Sequence, residues 1–296
     1  MEQLLSELSL VLGEHLSRLE RISEQPYASL YFLYDREGHS MPLVAKYFTV
    51  KGMAAQEAGK LSVLAQESSV HVPRVWGLVT SQRPPQHEVL LIERMEGVSV
   101  EAPARSPVRW HQLQDQIVDA LLTWHRVESN GLVGSVDSTQ ENTWPTWYAQ
   151  RVSVLWSTLG FMQPKMLSQQ DYAVLNRSRK GLAGLMADFR DPCVLVHGNL
   201  RLRSLIKGRD DRLLSICDPG RLLWAPREYD LTRLCEEGPA ESLLYHYLQR
   251  APVDEGFIAR RWLYLMWDQI DSLMHFGQFD RATFDRAARS LLPWLS

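Results

Sequence analysis

The sequence predicts an α+β protein: a β-rich region over residues 1–97, followed by a mostly helical region over residues 98–296. Short apolar runs separated by turn residues fill the first region, and apolar positions at helical spacing dominate the second. Between them lies a connector rich in breakers, Glu96-Gly97 and then Ala102-Pro103-Ala104-Arg105-Ser106-Pro107. A chain of 296 residues can bury a core in each region.

Each element has its own signal. Leu4, Leu5, Leu8, Val11, Leu12 and Leu16 recur at helical spacing, and Glu2, Glu7, Glu14 and Arg18 interrupt any apolar run. This predicts an amphipathic helix in place of a signal peptide. Residues 29–34 read as a strand, Asp35-Arg36-Glu37-Gly38 as a turn, and residues 43–48 as the hairpin partner. Residues 53–66 read as a helix with Ala54, Ala58, Leu61, Leu64 and Ala65 on one face. Residues 72–77 begin a second extended pair, with Pro84-Pro85 in its loop and residues 88–93 as a buried return strand.

Beyond the connector, Leu113, Ile117, Ala120, Leu121 and Trp124 form a helical stripe that Asn130-Gly131 is expected to end. Thr143 is placed to cap a helix whose first turn holds Pro145. Trp144, Trp147, Tyr148, Arg151 and Leu155 share a face of that helix. Burial preferences make it a core face, with a substrate-facing aromatic wall as the alternative. Residues 194–196 and 213–217 are short apolar runs that read as small strands holding a loop, and the segments around Tyr264 and from Ala287 to Leu292 read as helices.

Composition narrows the function classes. Hydrophobic residues make up 45% and charged residues 23%, as in an ordinary globular domain. The formal charge of -3 comes without a basic block, so no nucleic-acid partner is expected. No apolar stretch is long enough to predict a membrane span. Cys193, Cys217 and Cys235 are odd in number and form no CxxC pair, which predicts reduced, buried thiols and a cytoplasmic setting.

Phosphoryl transfer needs a cation for the nucleotide phosphates, a carboxylate for Mg²⁺ and a polar group to orient the attacking hydroxyl. Candidates stand in a suggestive order. Lys46 lies on a hairpin strand, and Glu57 follows on the next helix, where it can pair with Lys46. Asn199 follows His197-Gly198 between two strands, with Arg201 and Ser204 soon after it. Asp218 closes the next strand, with Pro219-Gly220 behind it.

Val196-His197-Gly198-Asn199, Cys217-Asp218-Pro219, Asn142-Thr143-Trp144 followed by Trp147, and Arg227-Glu228-Tyr229-Asp230-Leu231 together resemble the aminoglycoside phosphotransferase and fructosamine kinase superfamily. The likeness covers roughly residues 20–290 and points to an enterobacterial kinase-like group within that superfamily. It implies a protein-kinase-like two-lobe fold that uses ATP and Mg²⁺ and takes a small-molecule partner; an unidentified protein partner is the other possibility. It places Asn199 at the catalytic-base position, Arg201 where a cation contacts phosphate, and Ser204 and Asp218 at the metal positions. Lys46 and Glu57 become the nucleotide-phosphate pair. Glu93, Arg94 and Met95 fall where the hinge meets adenine through backbone groups, and His197 holds its loop.

The departures from the pattern concern phosphate handling. The family carries an Asp where Asn199 stands, and an amide cannot take a proton near neutral pH. A positioned general base contributes about 10²–10⁴-fold. Ser204 replaces an Asn and is shorter. The segment Gln25-Pro26-Tyr27-Ala28-Ser29, where a loop should cover the phosphates, has no glycine to let backbone amides approach. The sequence therefore predicts a degenerate kinase-like protein, slow or inactive. An active ATP-dependent phosphotransferase on a small hydroxyl-bearing metabolite, with a rewired site, is the alternative.

Overall fold

A computed structural model describes residues 2–25, 27–81, 86–235 and 238–295. Pro26, Pro84 and Pro85, and the side chain of Gln25, lie outside the described residues. In chain order, helix α1 (Glu2–Leu12) precedes strands β1 (Arg18–Gln25), β2 (Ala28–Tyr34) and β3 (Ser40–Phe48) and helix α2 (Met53–Gln66). Strands β4 (Val75–Ser81), β5 (His87–Glu93) and β6 (Val98–Ser99) lead to helix α3 (Pro107–Trp124). Strands β7 (Leu132–Ser135) and β8 (Gln140–Glu141), helices α4 (Trp144–Met162) and α5 (Gln169–Leu185), and strands β9 (Val194–Val196), β10 (Leu205–Lys207), β11 (Leu213–Ile216) and β12 (Leu223–Ala225) follow. Helices α6 (Glu228–Leu231), α7 (Pro239–Arg250), α8 (Phe257–Phe276) and α9 (Arg281–Leu291) complete the order.

The chain divides into two compact units, Met1–Gln116 with Arg203–Pro219, and Ile117–Leu202 with Gly220–Ser296. Residue 97, where composition marks a connector, falls inside the first unit. That unit is built on an antiparallel sheet in the order β1-β2-β3-β5-β4. Lys46 sits on the central strand β3, opposite Leu30 on one side and Leu90 on the other. Leu4 and Leu8 of α1 pack with Leu16, Tyr31, Leu33, Ala45, Val89 and Leu91. Leu16 lies beyond the end of α1, where its N–H donates to Ser9 Oγ at 3.1 Å. The amphipathic helix is therefore shorter than its apolar spacing predicts.

The connector is not bare loop. Its Val98–Ser99 forms β6, the edge of a second sheet in the order β11-β10-β6. Gly97 is required there, because a Cβ would stand 2.6 Å from Ile206 Cγ2 and from the Lys207 carbonyl oxygen. The same small sheet carries the chain through Ile216 to Asp218.

In the second unit a four-stranded sheet, β8-β7-β12-β9, adjoins a helical core. Trp144, Tyr148 and Leu155 of α4 are buried with Tyr264 and Trp267 of α8 and Phe284 of α9. Trp144 Nε1 donates to Tyr264 Oη at 3.0 Å, which satisfies both polar tips inside the core. Thr143 caps α4 through the Thr146 N–H, and Ser168 with Asp171 forms a capping box at α5. The predicted core face thus holds for Trp144, Tyr148 and Leu155, whereas Trp147 and Arg151 are half-buried at its margin.

Asn130-Gly131 does not end a helix. α3 stops at Trp124, and Asn130 (φ 52°) and Gly131 (φ 89°) make the left-handed turn into β7. The three cysteines are free and half-buried, less enclosed than their apolar flanks suggest. Burial pushes the Cys193 thiol up to about 12 and those of Cys217 and Cys235 up to about 11, so none is a ready thiolate. Among the described residues, no helix is long and apolar enough to cross a membrane.

Candidate functional site

Three of the residues singled out in the sequence meet within the first unit. Lys46 Nζ donates to Glu57 Oε1 at 2.7 Å and to Asp218 Oδ1 at 2.9 Å. Burial alone would lower the Lys46 pKa, but the Glu57 and Asp218 carboxylates outweigh it and raise it above the usual lysine value. The ammonium is therefore fixed in its charged form. Glu57 is buried, whereas half of the Asp218 side chain remains exposed. Asp218 adopts φ 57°, a left-handed conformation uncommon outside glycine. Such local strain tends to persist at working sites.

Neighbouring groups complete this cluster. Ser204 is buried, and its carbonyl accepts from the Cys217 N–H at 2.8 Å, which ties it to the residue before Asp218. Tyr27 follows β1, and its carbonyl accepts from the Thr49 N–H at 3.0 Å. Burial raises the pKa of its phenol, which lies within electrostatic range of Lys46, Asp218, Glu57 and Arg203. The segment expected to cover phosphates thus brings an aromatic side chain to the charged cluster. Glu93 holds His71 Nε2 at 2.7 Å and the Arg74 N–H at 3.2 Å through its carboxylate. The N–H groups of Glu93 and Arg94 donate to Arg74 and Pro42, and Met95 follows them half-buried.

One positioning residue has no local signal in the sequence. Glu88 of β5 accepts from the Gly52 N–H at 2.8 Å and from the Ala54 N–H at 3.2 Å. It caps α2 from a distant strand, where a carboxylate also suits the positive end of the helix dipole. Because β5 pairs with β3, this cap fixes the helix that carries Glu57 against the strand that carries Lys46. A local capping motif could not reveal it, because Gly52 offers no side chain.

The His197-Gly198-Asn199 loop, with Arg201, belongs to the second unit. Asp230, fully buried on α6, accepts from the N–H groups of His197 and Gly198, both at 2.7 Å. His125 Nε2 lies 3.2 Å from the same carboxylate, and His125 Nδ1 lies 2.7 Å from Tyr247 Oη. Burial alone would raise the Asp230 carboxyl, but hydrogen bonds from His125 and the Gly198 N–H, with the nearby His197 ring, hold it below the usual carboxylate range. His197 stacks on Trp124. Gly198 (φ 76°) packs so closely that a Cβ would fall 2.1 Å from the Arg221 carbonyl oxygen. A Cβ on Gly220 would stand 2.7 Å from Asn199 Cβ, so both glycines are needed for the two loops to touch. Asn199 and Arg201 are half-buried, and Arg201 lies within electrostatic range of Asp280.

Helix α8 adds two buried carboxylates. Asp268 accepts from Tyr229 Oη at 2.7 Å and Arg233 Nη2 at 2.8 Å. Asp271 pairs with Arg151 at 2.6 Å, Arg221 at 2.7 Å and His275 at 3.2 Å. Arg221, Asp271 and His275 carried no sequence signal, since their meeting depends on the tertiary fold.

A sheet-rich unit with an ion-paired lysine and a helical unit with a carboxylate-held His-Gly loop define a kinase-like phosphotransferase architecture. The fructosamine kinase family model matches residues 30–293, and the chain belongs to that family. It is 53% identical to the uncharacterized protein YcbJ of Escherichia coli (strain K12), with all of both chains covered. A protein described as a fructosamine-3-kinase from Haemophilus somnus 129PT superposes with a TM-score of 0.73 at 16% identity, over 99% of this chain and 97% of the other. A thermostable mutant of the aminoglycoside phosphotransferase APH(4)-Ia, in a ternary complex with ADP and hygromycin B, also superposes with a TM-score of 0.73, at 13% identity and over 99% and 98% of the chains. These structures establish the protein-kinase-like fold.

Two outcomes follow from the positioning carboxylates. Glu88→Ala should destabilise the protein by about 1–2 kcal/mol through loss of the cap, read from denaturant midpoints. Asp230 has a lowered folded-state pKa, so its stabilisation is present above the unfolded value and is lost as pH falls through the folded one. Between about pH 5 and pH 3 the unfolding free energy should therefore fall less steeply in Asp230→Asn than in the wild type.

Proposed function

We propose that this protein is a degenerate small-molecule kinase. It keeps the groups that hold a nucleotide and its metal, lacks the proton-accepting carboxylate, and transfers phosphoryl groups slowly if at all. The observation that carries this reading is the single ammonium of Lys46 held between Glu57 and Asp218. In this reading Lys46 binds the nucleotide phosphates and Glu57 fixes its direction. Glu93 and Met95 meet adenine through backbone groups, and Arg201 contacts phosphate. The nucleotide complex of the aminoglycoside phosphotransferase with the same fold supports the use of ATP.

The donor set suits Mg²⁺, which prefers oxygen ligands and is commonly held by one or two carboxylates together with substrate phosphates. Asp218 supplies a half-exposed carboxylate and Ser204 a hydroxyl. When bound, the ion neutralises charge on the transferred group. Asn199 can orient an acceptor hydroxyl through its amide oxygen, but it cannot take the proton. Tyr27 brings bulk to the place where a phosphate-covering loop would offer backbone donors.

Thermal denaturation with ATP and Mg²⁺ tests the binding half, because a ligand of the native state must raise the midpoint. The midpoint should rise in the wild type; no shift at millimolar nucleotide would sink this reading. Asn199→Asp with Ser204→Asn should increase ADP release by about 10²–10⁴-fold. Wild-type turnover already equal to that of the double variant would indicate the active, rewired kinase instead.

A further inference from the structure

The charges around Asp268 and Asp271 of α8, in the second unit, are unbalanced. Three arginines, Arg151, Arg221 and Arg233, and one histidine, His275, surround only two carboxylates, Asp268 and Asp271. Hydrogen bonding to Asp271 raises the His275 pKa against the opposing effect of burial, which favours the cationic ring. Tyr148 and Tyr229, which face the same carboxylates, are pushed far up by burial and contribute no negative charge.

The donor count points the same way. A guanidinium carries five N–H donors, so Arg151 and Arg221 offer about ten, against about four acceptor positions on the Asp271 carboxylate they share. Donors remain for water or a ligand. Asp271 is buried, while the Arg221 and His275 side chains are 31% and 50% exposed. The carboxylate lies beneath and the cations reach outward.

The position is also informative. Arg221 is the residue whose carbonyl packs against Gly198, the neighbour of Asn199. The guanidinium of Arg151 lies 5.7 Å from the ring centroid of the half-buried Trp147, which stacks on Trp144. A flat or sugar-like body could lie against Trp147 while an anionic group meets the cations.

We propose that Trp147, Arg151, Arg221 and His275 form a binding subsite for a small molecule bearing a carboxylate or phosphate group, with Asp271 as the positioning residue that holds the cations in register. As an acceptor subsite it rests on the phosphotransferase reading, since that reading supplies the acceptor. It favours an anionic acceptor over a polycation. A carboxylate or phosphate monoester gains paired, charge-assisted hydrogen bonds here, whereas an aminoglycoside would bring further positive charge to a site already in surplus.

The test is direct binding without nucleotide, so that loss of ATP binding or turnover would count against the phosphotransferase reading and leave this result untouched. Calorimetric titrations would use glucose 6-phosphate, gluconate and hygromycin B as probes. Glucose 6-phosphate or gluconate should bind the wild type, and Arg221→Gln should weaken that binding about tenfold or more. His275→Gln, a change at an exposed position that keeps the fold accessible if the arginine variant fails to fold, should weaken it about threefold or more. Far-ultraviolet circular dichroism would confirm that each variant is folded. Tighter binding of hygromycin B than of either anionic probe, failure of both anionic probes to bind, or unchanged affinity in a folded variant would overturn the proposal.

Discussion

A lysine ammonium in a partly enclosed site must be compensated, and here Lys46 is compensated twice. Its bonds to Glu57 and Asp218 join a central strand, the helix that follows it, and the segment after β11. Removing Lys46 would leave the buried Glu57 carboxylate and Asp218 without their shared cation. Much of the first unit serves this arrangement. β3 is flanked on both sides, which fixes Lys46 in register, and Glu88 caps α2 so that Glu57 arrives at the right height. The small sheet through β6, β10 and β11 carries the chain to Asp218 in its left-handed conformation.

The second unit solves a related problem with the opposite charge. Asp230 is a buried carboxylate compensated by two backbone N–H groups and a histidine, so its charge goes into shaping the His197-Gly198-Asn199 loop. At the end of this supported segment stands Asn199, a neutral amide that cannot take a proton near neutral pH. Under the proposed function, this supporting shell serves binding more than rapid turnover.

The sequence made the local relations legible. Lys46 and Glu57 lie on adjacent elements, α2 matches the apolar spacing from residue 53 to residue 66, and Thr143 with Pro145 announced the start of α4. Relations made by folding were hidden. β1 is an edge strand whose exposed Glu20, Arg21 and Glu24 break any alternation, so its sequence carries no clear strand signal. The Glu88 cap comes from a strand far along the chain. The meeting of Arg151, Arg221 and His275 at Asp271 needs α4, the segment before β12 and α8 to be packed together. Asn130-Gly131 is legible as punctuation but not by type, because the same dipeptide that can end a helix can also open a strand.

Under the proposed function, the Lys46–Glu57–Asp218 set holds a metal–nucleotide complex. Its most direct measurement is the relaxation rate of water protons in solutions of Mn²⁺ and ATP, where Mn²⁺ stands in for Mg²⁺ at oxygen ligands. Bound to the protein, the paramagnetic complex tumbles slowly and relaxes water more strongly. Adding the wild-type protein should enhance relaxation, and folded Asp218→Ala should lose that enhancement. Equal enhancement by the two proteins, or none by the wild type, would contradict it.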